Sequence, residues 1–435
     1  MKRRTFFRRA GLTLGLALLL VLVGCAAWRD RTGAAGESRA VVVWISVDGV
    51  RPDYLDRTEL PFFRRMMEEG AYSLALAPVF PSMTFPSHAS QATGVTVDRH
   101  GIPMNSFFDT ARGRRYAYPP FGFLLEAEPI WTTAQRQGLR VAVHDWVLSH
   151  RQSGAYAAAY SGDRYDDRMT DRQRVERLER VWRKDTGRPP LQLVMGYQVM
   201  PDKVGHEFGP NAPEVDASMR ATDAHLDWMA EQAVRIFRRR MRRGDVLYFI
   251  VTSDHGMSEV HTVVHPLLLA GVDREEEREE KVLVMASGTL AHVYVHGIAD
   301  EAERERRLDA VIRSVAPHAF ATVYRREELP ERWGYAHPTR TGDLVITLPA
   351  GYTFGRRLEA LTGTPAEARA SLGMHGCDVA ENPEMNGILL IWRYPDPLGG
   401  VDLGPTHSLQ LHATVARLLG IQPAEGAYAG GVELP

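Results

Sequence analysis

Two patterns of apolar residues alternate along the chain. One is a continuous apolar run, found at 41–48, 140–146, 191–198 and 245–254. Such runs are typical of strands that are buried on both faces of a parallel sheet. The other is a helical stretch, found at 60–70, 170–185 and 215–243. Because buried strands alternate with helices, the pattern predicts an α/β protein with a largely parallel central sheet.

Carboxylates and histidines follow three of the four predicted strands, and one more histidine lies between glycines in the loop GMHGCD (373–378). In parallel α/β sheets the active site gathers where strands end at their carboxyl side, so we expect these side chains to converge. The set consists of Asp48, Asp202, His206, Asp254, His255 and His375.

The composition of this set predicts metal binding. Three carboxylates and three imidazoles suit zinc, and six protein ligands are enough for two ions. Asp202 and His206 are four residues apart, so one helical turn directs both to the same side. Each residue alone is weak evidence, since a lone Asp after a strand is more often a helix cap and a lone His is often a loop residue.

The stretch PSMTFPSHASQATGV (81–95) brings Thr84 to a corner where a loop turns into a helix. Pro86 suits the first position of a helix over 86–93, where a missing N–H is harmless. The simple interpretation makes Thr84 the N-cap of that helix. The chemical one makes Thr84 a nucleophile whose hydroxyl is activated by zinc, with the Phe85 N–H facing the bound anion.

The first residues have the pattern of an export signal. A basic start precedes a 14-residue apolar run, Gly11–Gly24, which is shorter than the roughly 20 residues that span a bilayer. LVGC, ending at Cys25, resembles a bacterial lipobox, and RRTFF resembles a twin-arginine signal. We expect residues 1–24 to be removed and Cys25 to be lipidated. Residues 25–40 would then tether the rest of the protein to the membrane, in the periplasm or cell envelope. The alternative is a signal anchor that stays on the protein.

Charge and cysteine content exclude some classes of function. Without residues 1–24, Lys and Arg fall from 52 to 47 against 54 Asp and Glu, which leaves a net charge of about −7. A mildly acidic surface gives no indication of a nucleic-acid groove. Once Cys25 is lipidated, Cys377 is the remaining cysteine, so no intramolecular disulfide is expected. No protein partner is predicted.

Together these motifs resemble the nucleotide pyrophosphatase/phosphodiesterase family of the alkaline phosphatase superfamily. The matching stretches keep the family order from residue 41 onwards and are ISVDGVRPDYL (45–55), FPSMTFPSHASQATG (80–94), HGIPMN (100–105), EPIWTTAQRQG (128–138), PDKVGHEFGP (201–210), TSDHGM (252–257) and GMHGCD (373–378). The resemblance implies an alkaline-phosphatase-like α/β/α sandwich over 41–435. A smaller inserted α+β lobe is expected at roughly 260–372.

The resemblance also implies roles for individual residues. Thr84 would be the nucleophile and a metal ligand, and Asn105 would contact a phosphoryl oxygen. Two zinc ions would be held by two groups of residues, namely Asp202, His206 and His375 for one ion and Asp48, Asp254 and His255 with Thr84 for the other. The implied reaction is the hydrolysis of nucleotide-type phosphodiesters through a covalent phosphothreonine.

Substrate recognition is the least defined part of this prediction. Phe85 would form one wall of a slot for an organic group, typically a nucleobase. The opposite wall is usually a tyrosine, and Tyr160 is the choice here, with Tyr156 and Tyr165 as alternatives. The physiological small-molecule diester stays open between a nucleotide and a phospholipid head group.

Three other functions are compatible with parts of the sequence. Phosphonoacetate-hydrolase-like or phosphomonoesterase activity would use the same fold, although no arginine follows Thr84 to bind a dianionic phosphate. A surface lipoprotein without catalysis would also keep the fold, but it would not need a complete set of ligands.

Overall fold

The computed structural model describes residues 39–240, 242–273, 275 and 281–435. The signal segment, Cys25 and all but the last two residues of the predicted tether lie outside the described residues. Arg39 and residues 242–245 form a small unit, in which the Arg39 N–H donates to Asp245 at 2.9 Å. Residues 40–240 and 246–435 belong to the large unit described below. No helix in the described ranges is long and apolar enough to cross a membrane.

The strands, in chain order, are β1 (Ala40–Val47), β2 (Ala71–Ala77), β3 (Ser106–Asp109), β4 (Arg114–Ala117), β5 (Arg140–Val143), β6 (Tyr160–Ser161), β7 (Leu191–Gln198), β8 (Val246–Thr252), β9 (Ser258–Glu259), β10 (Thr262–Val264), β11 (Val282–Ser287), β12 (Leu290–Val295), β13 (Thr322–Arg325), β14 (Leu344–Thr347), β15 (Tyr352–Phe354), β16 (Thr362–Gly363), β17 (Gly373–Met374), β18 (Gly387–Tyr394), β19 (Val401–Asp402) and β20 (Thr406–His407).

The helices are α1 (Tyr54–Arg57), α2 (Pro61–Glu69), α3 (Thr84–Thr93), α4 (Val97–His100), α5 (Ile130–Arg136), α6 (Asp171–Lys184), α7 (Met200–Phe208), α8 (Pro213–Arg240), α9 (Pro266–Ala270), α10 (Glu301–Val315), α11 (Pro365–Ala368) and α12 (Gln410–Leu418).

The central sheet has the strand order β19-β2-β18-β8-β1-β7-β5-β6, with β20 paired to β2. Its central strands β8, β1, β7, β5 and β6 run parallel, whereas β18 is antiparallel to both of its neighbours. The predicted α/β fold with a largely parallel sheet is therefore confirmed.

Strand β1 has apolar side chains on both faces because both faces of the sheet are covered by helices. Val43, Ile45 and Val47 belong to the core cluster that includes residues of α2, α6 and α8. Val42 and Trp44 point to the opposite cluster, which includes residues of α5 and α12. This double burial is the physical reason for the continuous apolar run at 41–48.

A second, antiparallel sheet has the order β11-β12-β14-β13. Leu308, Val311 and Val315 of α10 share a core cluster with its strands. Between β13 and β14, the chain passes through a 3₁₀ turn at Glu331–Trp333. We call residues 331–341 the crossing segment, because they leave the sheet and contact the loop at 100–110.

Candidate metal centre and active site

The three central strands bring the predicted ligands together. Asp48 follows β1, Asp254 and His255 follow β8, and Asp202 lies in the first turn of α7 after β7. Because β8, β1 and β7 are adjacent and parallel, their carboxyl ends meet at one edge of the sheet. His375 reaches this edge from the loop after β17, a strand that pairs with β9.

The ligands form the two groups expected from the sequence. In one, the His206 and His375 Nε2 atoms lie 3.4 and 3.6 Å from Asp202 Oδ1. In the other, the His255 Nε2 atom lies 3.4 Å from Asp48 Oδ1 and 3.2 Å from Asp254 Oδ2. Within each group one ligand atom per residue lies within 4.8 Å of the others.

A glycine allows the two groups to lie close together. Gly49 has a positive φ of 67°, and a Cβ atom added there would lie 2.8 Å from the Asp202 Cβ atom. The Gly49 N–H also donates to Asp254 Oδ1 at 3.1 Å. The turn after β1 therefore requires a residue without a side chain. The rings of His255 and His375 stack at 3.7 Å between centroids, which connects the two groups.

Buried carboxylate oxygens provide the test of whether these residues fit a cation. Asp48 Oδ1, Asp202 Oδ1 and Asp254 Oδ2 are buried without a hydrogen-bond partner. They are the same atoms that face the Nε2 atoms of the histidines. An isolated buried charge is costly, and buried charges are normally paired or bound to a metal. The donor set therefore fits divalent cations.

Backbone carbonyls fix the orientation of the three histidine ligands. The Nδ1 atoms of His206, His255 and His375 lie 2.6, 2.8 and 3.0 Å from the carbonyl oxygens of Gly373, Gly256 and Ser82. When Nδ1 carries the proton and donates it to a carbonyl, Nε2 keeps a free electron pair that can bind a cation. Metal-bound histidines usually make such a hydrogen bond through their other ring nitrogen.

Electrostatics at this edge agree with the geometry. Burial, followed by repulsion from Asp254 and Asp202, raises the pKa of the Asp48 carboxyl well above its usual value. Burial, followed by the neighbouring His255 and His206, lowers the pKa of His375 well below its usual value. In the absence of a cation the protein therefore favours neutral groups here, which is the response of a preformed cation site.

Thr84 lies beside the second group. Its Oγ1 atom is 3.3 Å from His255 Nε2. The helix α3 begins at Thr84, two residues earlier than predicted, and Met83 is the N-cap. The N-cap interpretation of Thr84 is therefore wrong. Pro86 is the third residue of α3, still within the first turn, where its missing N–H leaves no bond unmade.

Asn105 accepts the Phe85 N–H through its Oδ1 atom at 3.0 Å. The Phe85 N–H was expected to face an anion directly, so this part of the prediction is corrected. The donor of the Asn105 amide is its Nδ2 group, which also hydrogen-bonds the Tyr118 side chain.

A cavity of about 570 Å³ opens next to the ligands. Its wall includes Asp48, Thr84, Phe85, Asn105, Tyr118, Asp145, His150, Tyr165, Tyr197, Asp202, Lys203, His206 and His375. Tyr118 meets Phe85 edge-on at 5.7 Å between ring centroids.

Tyr160 is not among the residues that line this cavity. It lies in β6, and its hydroxyl donates to Asp185 at 3.1 Å. Tyr156 contributes to a different cavity. Of the three candidate tyrosines, Tyr165 is the one at the cavity wall, where it covers the Arg174 guanidinium at 4.4 Å.

Two residues that contact the site were missed in the sequence. The Tyr197 hydroxyl donates to Asp48 Oδ2. The His88 Nδ1 atom lies 2.8 Å from the Thr84 carbonyl oxygen and 3.4 Å from Asp254 Oδ2. The spacing of four residues between Thr84 and His88 on one helix was a usable signal.

The comparisons with known proteins agree with this geometry. The profile of the family described as type I phosphodiesterase/nucleotide pyrophosphatase matches residues 42–378. An uncharacterised pyrophosphatase/phosphodiesterase of Schizosaccharomyces pombe is 27% identical, over 91% of this chain and 80% of its own length. Human ectonucleotide pyrophosphatase/phosphodiesterase family member 5 is 26% identical, over 79% of this chain and 69% of its own.

A mouse bis(5'-adenosyl)-triphosphatase is 26% identical, over 91% of this chain and 82% of its own length. Among solved structures, murine ectonucleotide pyrophosphatase/phosphodiesterase 5 matches with a TM-score of 0.74 and 25% identity. The match covers 91% of this chain and 98% of the murine chain. That structure is of an inactive variant, with a threonine replaced by alanine, in complex with AMP.

Proposed function

Because the chain belongs to the type I phosphodiesterase/nucleotide pyrophosphatase family, whose members are metal-dependent hydrolases, we propose a specific reaction for it. The protein hydrolyses nucleotide-type phosphodiester or pyrophosphate bonds with two zinc ions and a phosphothreonine intermediate on Thr84. The observation that carries this proposal is the set of three buried, unpartnered carboxylate oxygens, each facing a histidine Nε2 atom.

Each ligand group would hold one zinc ion. Asp202, His206 and His375 form the first site, and Asp48, Asp254 and His255, with the Thr84 oxygen, form the second. When bound, zinc supplies positive charge that lowers the pKa of a nearby hydroxyl and offsets the charge of the phosphoryl group.

Thr84 acts as the nucleophile. Its Oγ1 atom forms a bond to phosphorus while the bond from phosphorus to the leaving oxygen breaks, and the hydroxyl proton passes to water. Water then attacks the phosphothreonine, and the Thr84 oxygen leaves and regains a proton. Asn105 Nδ2 donates to a non-bridging oxygen while negative charge builds on it, held in place by the Phe85 N–H.

The cavity wall supports an anionic substrate with an aromatic group. Phe85, Tyr118 and Tyr165 supply aromatic surface, with Tyr165 replacing Tyr160 as the proposed second wall. Lys203 is the sole lysine or arginine among the described residues that line the cavity, and a phosphate beyond the reacting one would pair with it. The AMP bound by the murine relative supports a nucleotide.

The stereochemistry at phosphorus tests the covalent step. A chiral thiophosphate diester should be hydrolysed with net retention, because two successive in-line displacements each invert the phosphorus. Inversion would instead indicate direct attack by water, and the role of Thr84 would be refuted. Thr84→Ala should keep its metals and lose turnover by roughly a thousandfold or more, whereas Thr84→Ser should keep part of it.

Export is proposed from the sequence pattern of residues 1–25. We infer that residues 1–24 are removed and that Cys25 is lipidated, which tethers the hydrolase outside the cytoplasm. Mass spectrometry of the protein from its native membrane should find a lipid on Cys25 and no peptide from residues 1–24. An intact Met1 terminus would contradict this inference.

A further inference from the structure

The crossing segment lies along the loop at 100–110, which carries Asn105. The Arg340 side chain is fully buried, and its Nη1 atom donates to the carbonyl oxygens of Gly101 and Leu124 at 2.8 and 2.7 Å. Its Nε atom donates to Asp109 Oδ2 at 3.0 Å. Arg340 therefore holds the loop four residues before Asn105 and four residues after it.

Tyr335 adds a contact between these two points. Its hydroxyl donates to the carbonyl oxygen of Pro103 at 2.8 Å. The Tyr335 oxygen in turn lies 2.8 Å from His292 Nε2, in β12 of the antiparallel sheet. On the other side of the ring, His292 Nδ1 lies 3.0 Å from the Tyr294 hydroxyl oxygen and accepts the Gly342 N–H at 3.3 Å. A chain of hydrogen bonds thus runs from β12 to the loop.

Asn105 joins this loop to the beginning of α3. Phe85 is the second residue of the helix, so its N–H has no partner within the helix. Asn105 Oδ1 accepts that N–H, and the Asn105 carbonyl oxygen accepts the Tyr118 N–H at 2.8 Å. Movement of the loop would change both the position of the Asn105 amide and the hydrogen bond at the nucleophile's helix.

We propose that Arg340 and Tyr335 are positioning residues, through which the antiparallel sheet sets the place of Asn105 relative to Thr84. The catalytic part of this inference rests on the proposed function. The two residues do not line the cavity and touch no reacting atom. They act by holding the Asn105 loop from both sides, so that its amide is preorganised for the phosphoryl oxygen.

Amide hydrogen exchange tests the positioning without any substrate. Tyr335→Phe keeps the ring that packs edge-on against Phe80 at 5.2 Å and removes only the hydroxyl. We expect the Phe85 amide to exchange roughly tenfold faster in this variant, because the loop that supplies its acceptor is loosened. An unchanged rate at Phe85 would overturn the proposal.

A double-mutant cycle tests the consequence for catalysis. Tyr335→Phe should lower kcat roughly tenfold with little change in KM, since Asn105 acts on the transition state. On the Asn105→Ala background the same substitution should have almost no effect, because the group that it positions is gone. A loss of equal size on both backgrounds would show a general structural role and refute the inference.

Two further variants complete the design. Arg340→Lys keeps a positive charge but has one nitrogen in place of the separate Nη1 and Nε donors, so it cannot hold both the two carbonyls and Asp109 and should behave as Tyr335→Phe does. Tyr324→Phe removes a hydroxyl from the neighbouring β13, and it should leave both kcat and Phe85 exchange unchanged. If the wild-type protein hydrolyses no phosphodiester, the proposed function fails, but the exchange measurement still decides the positioning.

Discussion

The metal-ligand edge and the crossing segment both bury polar side chains, but these side chains differ in how far they are paired. At the ligand edge, one oxygen of each of Asp48, Asp202 and Asp254 is buried without a hydrogen bond. In the crossing segment, Arg340 donates to two carbonyls and a carboxylate, and its Nη2 atom forms an ion pair with Glu126 at 2.7 Å. The Tyr335 hydroxyl is likewise paired on both sides.

This difference separates two uses of buried polarity. Unpartnered carboxylates cost stability, and the protein keeps them because they are ready to bind a cation. A network in which most buried donors and acceptors are paired fixes one arrangement of the chain and can position a neighbouring site. The contrast predicts that perturbing the first region changes the metal content, and activity with it, whereas perturbing the second changes the stability of the fold and the position of Asn105.

The largest effect should follow removal of the metal. Chelation should abolish turnover and lower the melting temperature, because a cation that binds only the folded state stabilises it. His375→Ala should reduce the content from about two zinc ions per chain and leave almost no activity. His261→Ala, at an exposed histidine outside both ligand groups, should keep both ions in elemental analysis. Turnover that survives chelation would refute the two-metal site.

A smaller effect is expected from the buried ion pair of the crossing segment. Asp109 is fully buried and accepts from Arg340 and from Arg112. Asp109→Asn should lower the free energy of unfolding by about 3 kcal/mol, because it leaves the Arg340 charge with less compensation. Glu231→Gln, which breaks an exposed pair with Arg235 on α8, should change stability by less than about 1 kcal/mol. If denaturant unfolding showed equal losses of stability for Asp109→Asn and Glu231→Gln, the proposed difference between the buried and the exposed ion pair would be refuted.

The two regions also differed in how far the sequence could predict them. Each candidate ligand follows an apolar run or lies between glycines, so a local pattern selected the six residues that the structure brings together in two groups. Strand β7 has the predicted bounds, 191–198, and helix α6 is shorter than predicted by one residue at each end. Such elements are set by local periodicity, which the sequence carries directly.

Contacts between distant segments left no local signal. Arg340 and Asp109 are 231 residues apart, and neither stands in a recognisable motif. The prediction of Tyr160 as the second wall of the slot was wrong for a related reason. Residues 153–168 are mostly irregular, with a strand only at 160–161, so no periodicity indicated which tyrosine faces the cavity. The choice of Tyr165 depends on its packing against Arg174 of α6.

Acid should weaken the crossing-segment network. Burial lowers the pKa of His292 to about 3, against about 6.5 in the unfolded chain. Between pH 3 and pH 6.5 the unfolded state binds more protons at this histidine than the folded state does, so His292 reduces the stability of the fold as the pH falls below 6.5. Its contribution between pH 7 and pH 5 is a loss of about 2 kcal/mol. His292→Gln should show a correspondingly smaller loss in denaturant unfolding at the two pH values, and an identical loss would contradict the assignment.

The smallest expected effect has the opposite sign to the others. In metal-free protein, Asp48 lies near the carboxylates of Asp254 and Asp202, and burial and these charges disfavour its ionised form. Asp48→Asn removes the ionisable group whose charge the folded state disfavours, and it retains an oxygen that can accept from Tyr197. In chelator at pH 7 the variant should therefore be more stable than wild type by about 1 kcal/mol.

With zinc present the order should reverse, because the variant binds metal more weakly and gains less stability from it. Denaturant unfolding of both proteins, with and without zinc, measures the two differences. A loss of stability from Asp48→Asn in chelator would mean that the ligand carboxylates stabilise the fold without a cation. The metal-ligand edge would then not differ from the crossing segment in this respect.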